Sequence, residues 1–326
     1  MHRSMWMAAA GRFIVTLALM TGLGAPFVRA EPAGWPRTFH NADGSTVSLP
    51  AAPQRILSTS VTITGTLLAV DAPVVASATA ANGHFFAQWD RVAQARRLEK
   101  LWPAGSADLE AAYAVAPDLI VVALTGGDSA LGQIEELKAI APTLVLDYGG
   151  QTWQDLAREI GAATGLEAQT EARIVGFDRE VERARNKIAP PAGKVNIISY
   201  NGPGASNPIA TADGVHARLL SSLGFTLEAP DPAWQSSVSP RQDFVWAQYE
   251  NLTRLAAPTT FLLSAGDEKA AAFLRDPMLA NLPSVKNKQV YGLGVNSFRI
   301  DYFSAREIID GIIRRFGQTQ QAGPAP

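Results

Sequence analysis

The chain has 326 residues, with 28 Lys and Arg against 30 Asp and Glu, 47% hydrophobic residues and no cysteine. The missing thiols exclude disulfides, thiolate metal sites, iron–sulfur clusters and cysteine catalysis. The near-neutral, slightly acidic balance argues against a nucleic-acid or anionic-membrane partner for the body of the molecule.

Residues 1–30 read as a cleavable signal peptide. His2, Arg3 and Arg12 make a positive start, residues 13–27 form an apolar run, and Ala30 supplies a small residue at the cleavage point. The run is shorter than the ~20 apolar residues of a comfortable membrane span. A lipid anchor would need a cysteine, and a short uncleaved anchor is the other reading. A mature chain starting near Glu31 loses Arg3, Arg12 and Arg29, leaving 25 basic residues (28 − 3) against 30 acidic ones. An anionic ligand therefore needs a local basic pocket. The mature length suits two domains.

Each half then carries the same pattern. Glu110 is followed by a helical stretch, Pro117, the apolar run 119–122 and Thr125-Gly126-Gly127-Asp128. Glu250 is followed by a helical stretch, Pro258, Phe261-Leu262 and Ser264-Ala265-Gly266-Asp267. Each copy continues through a short helix, a second proline (Pro142, Pro283) and a second apolar strand (143–148, 289–293). Short apolar runs alternating with amphipathic helices predict parallel sheets covered on both faces. The expected fold class is α/β, with one lobe written twice.

Between the copies, residues 167–188 contain no proline and one glycine. Ile174, Phe177, Val181, Ala184 and Ile188 recur at helical spacing, which predicts one long linking helix of ~33 Å. The organisation expected is a signal peptide at 1–30, an amino-terminal lobe at 31–166, a linking helix at 167–189, a carboxy-terminal lobe at 190–317 and a disordered tail at 318–326. A stiff helical joint predicts only small closure on ligand.

Pro53-Gln54-Arg55-Ile56-Leu57-Ser58, running on to Asp71-Ala72-Pro73, resembles the ferric-enterobactin periplasmic binding proteins of Gram-negative bacteria. So do Thr125 to Leu131, Ile140-Ala141-Pro142-Thr143-Leu144, Asn287-Lys288-Gln289-Val290-Tyr291 and Phe298-Arg299-Ile300-Asp301-Tyr302. The similarity runs from about Gly34 to Phe316 within the helix-linked family of siderophore and cobalamin binding proteins. The Gly/Pro/Asn stretch 202–213 departs from it. The resemblance implies that both lobes are Rossmann-like, with a shallow cleft between them that holds a ferric catecholate siderophore without chemical change. It also implies delivery to an inner-membrane ABC permease with its ATPase, a periplasmic location and no cofactor. A ferric hydroxamate, haem or cobalamin is the alternative cargo, and a monomer is expected.

His40, His84 and His216 are scattered, so the iron is expected to arrive chelated rather than be captured by the protein. A ferric tricatecholate is a bulky trianion that calls for guanidinium forks and aromatic walls. In the first lobe Arg96, Arg97 and Trp102 are the candidates, although residues 89–102 read equally as an amphipathic helix with a solvated basic face. In the second lobe Trp234, Arg241, Arg299 and Tyr302 are the candidates. Arg299 follows the last apolar strand, where α/β sheets place ligand contacts; a salt bridge to Asp301 or Asp267 is its other reading. Glu110 and Glu250 suit helix starts, and the resemblance implies that this matched pair docks on arginine pockets of the permease. Gly202-Pro203-Gly204 lacks the third glycine of a dinucleotide loop, and no nucleophile elbow or P-loop occurs. A secreted Rossmann-like enzyme is thus the remote alternative, and no catalytic residue is assigned.

Overall fold

The computed structural model describes residues 34–236 and 243–318. The expected signal peptide lies outside the described residues, as does the tail beyond Gln318. The first element is a hairpin of β1 (Arg37–His40) and β2 (Thr46–Leu49). Its turn residue Asn41 is buried and accepts from the Val145 amide, so the hairpin shields the edge of the first sheet.

That sheet is built by β3 (Ile56–Ser58), α1 (Val61–Ala69), β4 (Val74–Thr79), α2 (Ala87–Ala95), β5 (Glu99–Pro103), α3 (Leu109–Ala114), β6 (Leu119–Ala123), α4 (Ile134–Ile140) and β7 (Thr143–Leu146). The strands are all parallel, in the order β5-β4-β3-β6-β7. In β6 the period-two geometry is visible in the packing: Leu119, Val121 and Ala123 join one apolar cluster, while Ile120 and Val122 join another. An unbroken apolar run is what a strand covered on both faces requires.

Then come α5 (Trp153–Thr164) and the linking helix α6 (Glu167–Arg185). Ile174, Phe177, Val181 and Ala184 are its buried stripe, as the spacing predicts. The helix is 19 residues long, ~28 Å, and stops three residues earlier than expected. Residues 187–189 leave it to pair with 316–318, through Ala189 N–H to Phe316 O and Gln318 N–H to Lys187 O.

The second sheet comprises β8 (Lys194–Ile198), β9 (Asn207–Ala210), α7 (Val215–Ser222), β10 (Thr226–Leu227), β11 (Phe244–Ala247), β12 (Thr259–Leu262), α8 (Asp267–Leu274), α9 (Pro283–Lys286) and β13 (Val290–Gly292). Its order, β11-β9-β8-β12-β13, repeats that of the first sheet place for place. One difference corrects the expectation of two parallel sheets. Strand β9 lies inside the Gly/Pro/Asn stretch 202–213 that departs from the family, and it runs antiparallel to both β8 and β11. Gly202 and Gly204, both at positive φ, let the chain reverse direction between β8 and β9.

The last helix, α10 (Tyr302–Phe316), follows β13 but packs against α1, α2 and α6. One apolar cluster therefore crosses the molecule, joining Leu67 and Trp153 to Phe177, Phe261 and Ile309. The core is shared by the two halves, where two separate cores would have left each sheet independent. Among the described residues no helix is long and apolar enough to cross a membrane.

Candidate functional site

The carboxyl ends of the first sheet and the segment after β13 meet in a cleft. Its floor is a cavity of ≈ 40 Å³ lined by Thr62, Thr66 and Tyr148 from the first half and by His216, Asp243 and Arg299 from the second. A wider groove of ≈ 430 Å³ opens beside it, walled by Phe85, Phe86, Val295 and Phe298. Phe298 and Arg299 border both spaces.

Arg299 is held by its backbone: Ser304 Oγ donates to the Arg299 carbonyl at 2.6 Å, within the capping box that Asp301 and Ser304 form at the start of α10. Its guanidinium carbon lies 5.6 Å from the Tyr148 ring centre and 5.1 Å from that of Phe298. These aromatic faces favour the cation and orient it. The salt bridges weighed for it go elsewhere. Asp267 pairs with Arg315, and Asp301 accepts from Gln88, Phe303 and Ser304.

Tyr148 is positioned in turn by Asp128. The buried Asp128 carboxylate accepts from Tyr148 Oη at 2.9 Å, Ser60 Oγ at 2.6 Å and the Thr62 amide at 3.0 Å. Ser60 and Thr62 open α1, so the positive end of that helix is already matched by a carboxylate. Gly126 is required here: a Cβ on it would lie 1.8 Å from Tyr148 Oη. The equivalent Asp267 of the second copy is exposed at the start of α8 and pairs with Arg315, so the carboxylate of the repeated turn has a different role in each copy.

His216 is 2% exposed, and its Nε2 lies 2.9 Å from the Ser297 carbonyl. Burial pulls its pKa down to about 4 against the opposing pull of that carbonyl, so the ring is neutral near pH 7. Its ring leans on Phe244, which stacks on Phe298 at 5.8 Å and 6°. This second-half wall supports the segment that delivers Phe298 and Arg299.

The other candidate residues fall elsewhere. Arg96 and Arg97 follow the end of α2, at the amino-terminal edge of the first sheet, across the lobe from the cleft. Arg96 is paired there with Asp71, which also takes Arg173 of the linking helix at 3.0 Å. The basic face of residues 89–102 thus braces the scaffold and does not line the cleft. Trp102 is 5% exposed in β5, packed with Leu57, Ala76 and Ala112, so it is core. Tyr302 is also core: its ring meets Trp153 at 5.4 Å and Phe177 at 6.1 Å, with Arg173 and Arg306 each 5.4 Å away. Trp234, in a 3-10 helix at Pro232–Trp234, packs on the outer apolar cluster of the second sheet. Arg241 lies outside the described residues. Of the ligand candidates, Arg299 alone is placed in the cleft by the described residues.

Tyr148 and His216 were not singled out from sequence. The end of the second apolar strand in the first copy could have pointed to Tyr148. Nothing in the local sequence distinguishes His216 from a core histidine. Among the described residues no group of three or more His, Asp or Glu could hold a metal ion.

Glu110 is the second residue of α3, between β5 and β6, and is exposed. Glu250 is the second residue of a 3-10 helix at Tyr249–Arg254, between β11 and β12, and is exposed too. Because β5 and β11, like β6 and β12, hold the same places in the two sheets, the glutamates occupy equivalent crossovers.

The periplasmic binding protein family profile matches residues 56–296. The ferric enterobactin-binding periplasmic protein FepB of Escherichia coli O6:H1 (strain CFT073) is 40% identical over 307 residues, 91% of this chain and 95% of that protein. The iron(3+)-hydroxamate-binding protein FhuD of Bacillus subtilis (strain 168) is 24% identical over 60% of each chain. The crystal structure of holo-ViuP is 56% identical with a TM-score of 0.85, covering 87% of this chain and 96% of that one. Staphylococcus aureus SirA complexed with staphyloferrin B shares the fold at 17% identity and a TM-score of 0.66, over 86% of this chain and 98% of its own.

Proposed function

The chain belongs to the periplasmic binding protein family, and on that footing we propose that it carries a ferric catecholate siderophore of the enterobactin type to an inner-membrane ABC permease and its ATPase. It is a binding protein, not an enzyme. The cargo brings its own iron, so the protein needs no cofactor. Residues 1–30 serve as the cleavable signal, and the mature protein acts as a monomer.

The observation that carries the reading is Arg299, a guanidinium beside the rings of Tyr148 and Phe298 on the floor of a cleft shared by both halves. A flat cation flanked by aromatic faces suits a ligand that is anionic and aromatic at once. A neutral hydroxamate complex would make less use of it, and the hydroxamate-binding relative is similar over 60% of this chain, against 91% for the enterobactin-binding one. In this reading Arg299, Tyr148 and Phe298 touch the ligand. Glu110 and Glu250 touch the permease.

Trp153 lines the cleft floor, so intrinsic fluorescence reports occupancy. Titration with ferric enterobactin, a ferric hydroxamate, haem and cobalamin is expected to show tight quenching by the catecholate alone. Arg299→Ala should weaken that binding by about tenfold or more, the scale of a hydrogen bond to a charged group. Arg299→Lys should recover part of the loss, because lysine keeps the charge without the fork. Preference for the hydroxamate, or unchanged binding in Arg299→Ala, would overturn the assignment. The Glu110→Ala/Glu250→Ala double variant should quench as the parent does yet fail to support iron uptake.

A further inference from the structure

Exposed apolar side chains are the second feature of the surface that carries the two glutamates. Among the described residues four large hydrophobic side chains are well exposed: Tyr113 at 74%, Val295 at 67%, Met278 at 57% and Val175 at 44%. Val295 borders the ligand groove and Val175 sits on the linking helix. The remaining two lie beside the glutamates.

In the first half the relation is helical. Tyr113 is three residues after Glu110 on α3, so the two side chains are neighbours on one face, while Ala112 between them is buried. In the second half the relation is made by a carboxylate. Asp276 Oδ2 accepts from Tyr249 Oη at 2.6 Å, and Tyr249 immediately precedes Glu250. Asp276 Oδ1 accepts from the Met278 amide at 3.0 Å. A third bond, from Tyr200 Oη at 2.6 Å, ties the same carboxylate to the end of β8. The 3-10 helices Tyr249–Arg254 and Pro277–Leu279 are in contact. Thus the backbone of Met278 is tied through Asp276 to Tyr249, and the short helix that carries Met278 packs on the one that carries Glu250.

We infer that Tyr113 and Met278 are the apolar anchors of the docking face, one beside each glutamate. The partner they fit is the permease, presenting at each contact point a cationic group next to a small apolar recess. The inference rests on the docking reading of Glu110 and Glu250. A rim carboxylate steers encounter and sets register but holds weakly in water. An aromatic or thioether side chain that becomes desolvated supplies the holding energy, and a tyrosine is a frequent anchor of that kind. The scaffold gives both anchors a fixed backbone, which lowers the ordering cost of docking.

The test uses the full mature protein loaded with ferric enterobactin and its permease–ATPase complex in nanodiscs. Tyr113→Ala and Met278→Ala should each weaken docking by about tenfold, and together by more, with fluorescence quenching by the ligand unchanged. Tyr113→Phe and Met278→Leu should dock within about twofold of the parent, since they keep the apolar volume. If the double alanine variant docks like the parent while the double glutamate variant fails, the anchors are wrong and the docking reading stands. If the double glutamate variant docks normally, the docking reading is wrong. Equal losses in the alanine and the conservative variants would show a structural defect and also overturn the inference.

Discussion

His216 is the residue at which charge, burial and position combine. Its folded pKa of about 4 lies below the ordinary histidine value of 6.5 because burial disfavours the cation. As pH falls through 6.5 the unfolded chain takes up a proton that the folded ring refuses, so stability declines until about pH 4 and stays lost below it. The full effect is about 3 kcal/mol. Asp301 acts in the opposite sense, since burial raises its pKa and favours the folded state at low pH. Urea unfolding at pH 7 and pH 4.5, compared between the parent and His216→Gln, isolates the histidine. The variant should lose less stability on acidification than the parent, and equal losses would mean that the ring is protonated in the fold. The place of Arg299 in the cleft was legible in the sequence because the loop after a last strand is a position with a rule behind it. Arg96, Arg97 and Trp102 were misplaced because composition does not say to which edge of a sheet a helix end belongs.

At the level of elements, α1 and α10 meet in a close joint. Gly65 sits in mid-helix, where alanine would ordinarily add ~0.5–1 kcal/mol of stability. A Cβ there would fall 2.6 Å from Asp301 Oδ2 and 3.1 Å from the Trp89 indole. Overpacking of that kind costs ~1–3 kcal/mol, so it should win. Gly65→Ala is expected to lower the urea midpoint, and a raised midpoint would show that α10 can shift aside. The repeat and the linking helix were readable from period and spacing, since apolar runs and a 3-4-3-4 stripe are backbone geometry written in sequence. The antiparallel β9 was not readable, because Asn207 and Pro208 are poor strand formers and hydrogen-bond pairing with β11 overrides that preference.

Across the whole molecule, the linking helix is fastened along its length. Arg37 pairs with Glu167, Arg173 with Asp71, and Arg306 with Glu180 at 3.0 Å, while Phe177 packs on Tyr302. Exposed ion pairs add little individually. They nevertheless mark the helix as part of the scaffold, and bending it would break backbone bonds. Small-angle scattering of free and ferric enterobactin-loaded protein should therefore superimpose. A marked compaction on loading would place a hinge elsewhere in the chain. The same fastening has a consequence for how the molecule comes apart. The final helix completes the packing of the first half: Gln88 reaches Asp301, and α10 lies on α1 and α2. The earliest part of the chain cannot close its outer layer until the latest part exists. Two sheets that look like separable beads thus share one core, and calorimetry is expected to show one melting transition, two resolved transitions being the result against it.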